Sequence, residues 1–263
     1  MAGSATNWIQ TAAIAVLVAA IPLSAQSIKK TDYYVVLKNK QKIYGSALEA
    51  NEKGDITLTL SGGRGQRKFR KTEIRRAYVP KPKLIKEADR LLKSREFDAA
   101  LSRIDDAYSK FRHLGWGGRI GYVRGKCYLA RNQPKEAEKS LRDGLRYRND
   151  KLTEIRLSKE MVTLLLKDNR VPDAKKIVDQ LRVKDAKSKS AILIYNMRGE
   201  VLAANGQKKE AILSYMKIIL LFPKAEWSGT PRKEAYRQVV SLLRELNDNR
   251  AVEFEKEMRS EYP

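Results

Sequence analysis

The sequence predicts an α+β multidomain chain, mainly an all-α superhelix of about five helical hairpins preceded by a small β-barrel. Three observations predict it. Ala100, Ala137, Ala174, Ala211 and Ala251 recur at separations of 37, 37, 37 and 40 residues. The segment before them alternates every second residue instead of every third or fourth. An uninterrupted apolar run stands near the start of the chain. Small residues recurring at this period mark stacked helical hairpins, each burying its apolar face on the next.

Within each unit the apolar positions fall three or four residues apart, which places them on one face of a helix. The first unit has Leu84, Ala88 and Leu91, then Ala100, Ile104 and Ala107. The second has Gly121, Gly125 and Tyr128, then Ala137, Leu141 and Gly144. Val162, Leu165, Ala174, Val178 and Leu181 follow in the third unit, and Tyr195, Gly199, Leu202, Ala211, Tyr215 and Ile218 in the fourth. Val239, Leu242, Ala251 and Met258 make the fifth. The small residues stand where two helices must approach closely, and the larger ones fill the groove. Pro134 and Pro172 sit at the start of second helices, where a missing amide hydrogen costs little, and Pro223 closes one.

These residues resemble the tetratricopeptide repeat family, whose unit pairs small and aromatic positions on two helices. Tyr195, Gly199, Leu202, Ala211, Tyr215 and Pro223 of the fourth unit stand where that pattern expects them. The resemblance covers residues 81–263. Its departures are units longer than about 34 residues, no tryptophan at the early aromatic position, and Glu255 where an aromatic is usual.

Residues 27–80 carry strand-like runs at Tyr34–Leu37, Ile43–Tyr44, Ile56–Leu60, Lys68–Phe69 and Ile74–Val79. They are separated by turns at Asn39–Lys40, Asn51–Asp55 and Ser61–Gly65. Four or five short strands predict a small, strongly bent barrel kinked at Gly45. The stretch Val36–Gly45 resembles the SH3-like and Sm-like barrels of bacterial exported proteins. Pro80-Lys81-Pro82-Lys83 reads as a stiff linker or as the point where the barrel meets the first helix.

Residues 1–25 read as an export signal. Ala12–Leu23 is apolar and too short for a bilayer, which needs about twenty residues, and Leu23-Ser24-Ala25 offers small residues to a peptidase. The lack of Lys or Arg before Lys29 is atypical of such signals. The expected location is exported, periplasmic or in the cell envelope after signal cleavage. Cys127, the only cysteine, falls on the apolar side of a helix and reads as a buried, inert thiol.

The formal net charge is +23, with 13 basic against 5 acidic side chains in residues 27–80 and 41 against 26 in 81–263. Such an excess suits polyanions or simply a solvated surface. The sharpest local candidate is Gly62–Lys71, where Arg64, Arg67, Lys68, Arg70 and Lys71 surround Phe69. There Phe69 would stack on the ligand, or else point inward as a core residue.

Catalytic patterns are absent. The single histidine, His113, has no cysteine or carboxylate at ligand spacing, Asp105-Asp106 point about 100° apart on a helix, and no nucleophile elbow or phosphate-cradling loop occurs. Gly115-Trp116-Gly117-Gly118 reads as a helix break with Trp116 packed between units. No catalytic residue, metal site, cofactor or small-molecule substrate is expected.

If the repeat resemblance holds, it implies a peptide-binding wall lined by first helices. The corresponding positions are Arg119, Tyr122, Lys126, Arg156, Lys159, Lys167, Asn196, Glu200, Lys233, Tyr236 and Arg244. That wall is mostly cationic and suits an acidic or carboxylate-ended protein segment. Two functions remain open from sequence. One is a non-catalytic exported scaffold that binds a protein or peptide. The other is a basic protein that binds anionic lipid headgroups, cell-wall polymer or nucleic acid.

Overall fold

Alternation governs the β part. A computed structural model of the chain describes residues 33–147 and 150–263; the export-signal reading of residues 1–25 lies outside them. In β4 (Ile56–Thr59) the side chains of Ile56 and Leu58 are buried and those of Thr57 and Thr59 are not, as a strand with one covered face requires. β3 (Ala47–Ala50) and β5 (Gln66–Phe69) flank it with Leu48↔Leu58 and Ile56↔Phe69 in register, making one antiparallel sheet. β1 (Tyr33–Leu37) lies between β2 (Lys42–Gly45) and β6 (Ile74–Tyr78) in a second. Val35, Leu48, Ile56, Leu58, Phe69 and Ala77 meet in the core between them.

The chain passes from one sheet to the other at Gly45–Ser46, where the Ser46 amide donates to Thr59 O at 2.8 Å. A Cβ at Gly45 would collide with the Leu58 side chain and the Thr59 carbonyl, so only glycine permits this bend. The expected barrel is therefore two three-stranded sheets, and among the described residues no ladder joins β5 to β6 to close it. The intervening 3₁₀ turn Lys71–Glu73 carries the chain away between those strands. β3 went unread in the sequence because Ala47–Ala50 is poor in β-branched and aromatic residues.

Ten α-helices follow among the described residues, in five hairpins: α1 (Lys83–Lys93) with α2 (Phe97–Phe111), α3 (Gly117–Ala130) with α4 (Pro134–Arg146), α5 (Lys151–Lys167) with α6 (Val171–Gln180), α7 (Lys189–Ala204) with α8 (Lys208–Leu221), and α9 (Glu226–Glu245) with α10 (Arg250–Glu261). Each hairpin turns on one left-handed residue: Arg95, Asn132, Asn169, Gly206 or Asn247, with φ between 54° and 76°. The next residue's amide reaches back five positions, as in Glu96 N–H to Leu91 O and Gln207 N–H to Leu202 O, both 2.9 Å. This is the Schellman closure that satisfies orphan carbonyls at a helix end. The recurring alanine arrives four or five residues later, and all five are buried.

Those alanines and certain glycines set how closely the helices pack. A Cβ on Gly121 of α3 would overlap the Gly144 backbone of α4, and one on Gly199 of α7 would lie 2.5 Å from the Tyr215 ring of α8. Three helical core clusters run down the stack. Tyr122 touches the first and second, and Val183 touches the second and third. Cys127 is fully buried, and desolvation pushes its thiol up to about 11, so it stays protonated and packs as a small apolar group.

The β part joins the stack at Arg112–Trp116, a π-wound segment broken at Leu114 and at Gly115, whose φ is 92°. Leu114 O accepts the Val79 amide at 3.3 Å, and the Trp116 indole N–H donates to Val79 O at 3.0 Å. Trp116 and Phe111 border both the β core and the first helical core. Trp116 thus packs against the sheets as well as against the core shared by the first two units, its ring 5.9 Å from that of Tyr78 on β6.

The left-handed turn residues yield a reciprocal prediction. Arg95 is exposed and bears a Cβ in a conformation that costs a side-chain residue roughly 1–2 kcal/mol. Arg95→Gly should stabilise the fold by up to about 1 kcal/mol after the extra unfolded-state entropy of glycine, and Gly206→Arg should destabilise it by about as much. Urea midpoints moving in the same direction for both would refute the turn assignment.

Candidate functional site

The first-helix wall is built of α1, α3, α5, α7 and α9, and its charges largely satisfy one another. Arg119 of α3 grips Asp89 of α1, with Nε at 2.8 Å and Nη2 at 2.5 Å, while Lys81 reaches the other carboxylate oxygen at 2.5 Å. Lys126 of α3 pairs with Glu160 of α5 at 3.2 Å. Lys159 of α5 attracts Glu200 of α7, and Glu234 of α9 repels it. Asn196 is committed to Glu200, its amide donating at 2.5 Å. First helices from α1 to α7 are thus linked by charge, and the predicted cationic wall is closer to neutral there than its Lys and Arg positions suggested.

Other wall positions differ more sharply from expectation. Tyr236 has no exposed surface and is a core residue whose hydroxyl donates to Glu257 at 2.8 Å. Arg244 points at α10, where it binds Glu255 at 2.6 Å. Lys233 donates to Tyr262 O at 3.3 Å. Tyr122 is half-buried with the Arg119 guanidinium 5.1 Å over its ring. Arg156 and Lys167 on α5 do face solvent.

In the β5 loop, Arg64, Arg67, Lys68, Arg70 and Lys71 are exposed, but Phe69 is only 4 % exposed and belongs to the sheet core. Strand alternation turns it inward, which removes the aromatic that would have stacked on a ligand. Lys68 and Arg70 share a cleft of about 540 Å³ with Glu49, Asp55 and Glu73, so their charge is partly offset. The Lys71 amide donates to Asp55 at 2.9 Å and holds that carboxyl below its ordinary range.

Two features were not anticipated. A groove of about 930 Å³ runs between α8 and α10, lined by Ile212, Leu213, Met216, Leu243, Leu246 and Phe254. Leu213 and Val252 are 64 % and 71 % exposed, and Leu220 extends the stripe at 71 %. The signal was the near-continuous apolar run from Ala211 to Phe222, which carries more apolar side chains than one buried helix face can absorb. The second is a basic cavity of about 400 Å³ where β6, the Arg112–Trp116 turn and the end of α4 meet. Its arginines come from three separate stretches, Arg75 and Arg76, Arg112, and Arg146, too far apart for any local motif to connect.

Arg232, unremarked in the sequence, is the best-buried cation of the described residues. It donates to the carbonyls of Ile219 and Phe222, and pairs with Glu261 at 3.0 Å. The pair has only 6 % and 7 % side-chain exposure, and it ties the end of α8 to α9 and α10. Among the described residues no group of three or more His, Cys, Asp or Glu is placed to hold a metal ion, and no helix is long and apolar enough to cross a membrane.

Glu200 gives the wall a pH signature. Burial pushes its carboxyl above the ordinary 4.5, against the pull of Lys159 and the Asn196 hydrogen bond. The native state therefore disfavours the ionised form, a penalty present at neutral pH, relieved as the pH falls through the raised native value, and gone once it is below the ordinary 4.5. Glu200→Gln, which keeps the acceptor for Asn196, should melt at a higher temperature than the parent at neutral pH, and the gain should vanish in acid. A gain that is equal at both pH values would remove charge burial as its cause.

No protein-family model matches the sequence, and no curated protein matches it. Solved structures do share the fold. A MamA double mutant superposes with a TM-score of 0.52 at 15 % identity, covering 68 % of this chain and 95 % of the other. MamA from Desulfovibrio magneticus RS-1, residues 41 to the end, gives 0.51 at 14 % identity with the same coverage. A Podosopora anserina putative kinesin light chain with nearly identical TPR-like repeats gives 0.52 at 14 % identity, covering 68 % of this chain and 92 % of the other. The helical stack of this chain thus has the tetratricopeptide-like repeat fold.

Proposed function

We propose that the chain is a non-catalytic scaffold that holds a protein partner, and that it works after export, in the periplasm or cell envelope. The observation that carries the reading is the apolar groove between α8 and α10. Leu213 in the groove and Leu220 two turns further along the same helix are both more than half exposed, and a contiguous apolar surface of this kind marks an interaction site. The partner fitting it is an amphipathic segment with acidic residues beside its apolar face. Lys209 lines one rim of the groove and Lys217 is exposed on the same helix, so acidic flanks would meet opposite charge while apolar side chains fill the centre. The first-helix wall is the weaker candidate because several of its cations, Arg119, Lys126 and Arg244 among them, are already paired. The export part of the reading rests on the apolar run Ala12–Leu23 and the small residues after it.

A labelled synthetic helix with Leu on one face and Glu on the other serves as the probe, with its Leu/Lys counterpart as control. The acidic peptide should bind saturably and survive high salt, since apolar anchors carry most of the affinity. Leu213→Glu should weaken it by about tenfold, equivalent to about 1.4 kcal/mol, while Arg156→Glu on the first-helix wall should not. Equal binding of both peptides, or loss on Arg156→Glu alone, would overturn this assignment of the groove.

A further inference from the structure

We propose that the junction between the β sheets and the second hairpin is a binding site for a phosphate-bearing anion. Five cations line the 400 Å³ cavity: Lys71, Arg75 and Arg76 from the β part, Arg112 from the π-wound turn, and Arg146 from α4. One carboxylate, Asp143, faces them, and it also accepts a hydrogen bond from the Tyr108 hydroxyl.

Asp143 offsets only part of the charge of these groups. Arg112 spends its donors on neutral acceptors, the Glu52 carbonyl at 3.1 Å and His113 Nε2 at 3.2 Å. Arg76 donates to the Tyr34 hydroxyl at 3.1 Å. Arg146 is 3.9 Å from Asp143 with 78 % of its side chain exposed. Arg75 and Lys71 are exposed at the rim. Elsewhere in the molecule the pattern is the reverse, with Arg119, Lys126, Arg232 and Arg244 each closed by a carboxylate. A concavity with several like charges and low-dielectric walls focuses its field on a ligand, and guanidinium forks match phosphate oxygens in pairs.

The framework around the cavity is fixed. Gly54, at φ 91°, brings the 51–55 turn against His113, where a Cβ would lie 3.0 Å from Nδ1. The imidazole stands edge-on to Tyr147 at 5.4 Å. Burial first, then Arg112 and Lys71, lower the pKa of His113 against the opposing pull of the Glu52 carbonyl and Asp143. The Arg112 and Lys71 charges that add to this shift would also attract an anion. Such a ligand would bridge the sheets and the stack, because its contacts come from both.

Inorganic pyrophosphate is the probe, titrated into the full chain at constant ionic strength set with sodium chloride. His113 is the only histidine, so its imidazole proton resonances report occupancy directly. We expect a saturable shift of those resonances, a rise in melting temperature with concentration, and at least a tenfold loss of affinity in the Arg75→Gln/Arg146→Gln double variant. The Arg156→Gln/Lys167→Gln variant removes the same charge from α5 and should bind as the parent does. Vesicles of phosphatidylcholine doped with phosphatidic acid separate the sources. Capture that pyrophosphate competes away identifies a lipid headgroup, and pyrophosphate binding without capture identifies a soluble phosphate. No saturable shift, or equal loss in both double variants, would overturn the proposal.

Discussion

Close approach of paired helices is the constraint on which the rest of this structure depends. At the Gly121–Gly144 crossing the backbones themselves are in contact, and at Gly199 the ring of Tyr215 lies where any side chain would be. A hairpin packed this tightly has one relative position for its helices, which fixes where the next hairpin must sit. Ala100, Ala137, Ala174 and Ala211, all without exposed surface, repeat that condition down the stack. The turn geometry is its counterpart: a left-handed residue with its five-residue back-bond sets the reversal, and the alanine reaches the crossing at the same distance along the chain in the first four units.

This explains why the helical part was legible in sequence and why other parts were not. Small residues at helix crossings are a local requirement, so they leave a period that can be read along the chain. The strands that contain β-branched and aromatic residues were visible for the same reason. The Ala47–Ala50 strand was not, because its place is set by pairing with β4 and by the bend at Gly45. Phe69 was readable either way, and only the register against Ile56 decides that it belongs to the core.

The charged residues were the least legible, for a physical reason. A lysine on a helix is exposed or paired according to what the neighbouring hairpin presents some thirty residues away. Lys126 meets Glu160 and Arg119 meets Asp89 across successive first helices. A count of cations along one face therefore overstates the field that a ligand would feel. Arg232 is the extreme case: its neighbours in sequence give no hint that it is buried against two carbonyls and Glu261. Desolvating such a pair is costly, and what offsets the cost is the set of hydrogen bonds to carbonyls that α8 would otherwise leave unsatisfied.

The distribution of unpaired features then separates two kinds of recognition. Where first helices adjoin, complementary charges have been brought together and little driving force remains for a ligand. At the sheet–helix junction several cations are held by neutral partners, and along α8 apolar side chains remain uncovered. The first arrangement is electrostatic and weakens with salt; the second is hydrophobic and does not. The junction draws on the β part and the first two hairpins, whereas the groove draws on the last two, and they share no residue. The two surfaces can therefore be altered one at a time, by charge at the first and by shape at the second, without disturbing the helix crossings that hold the stack.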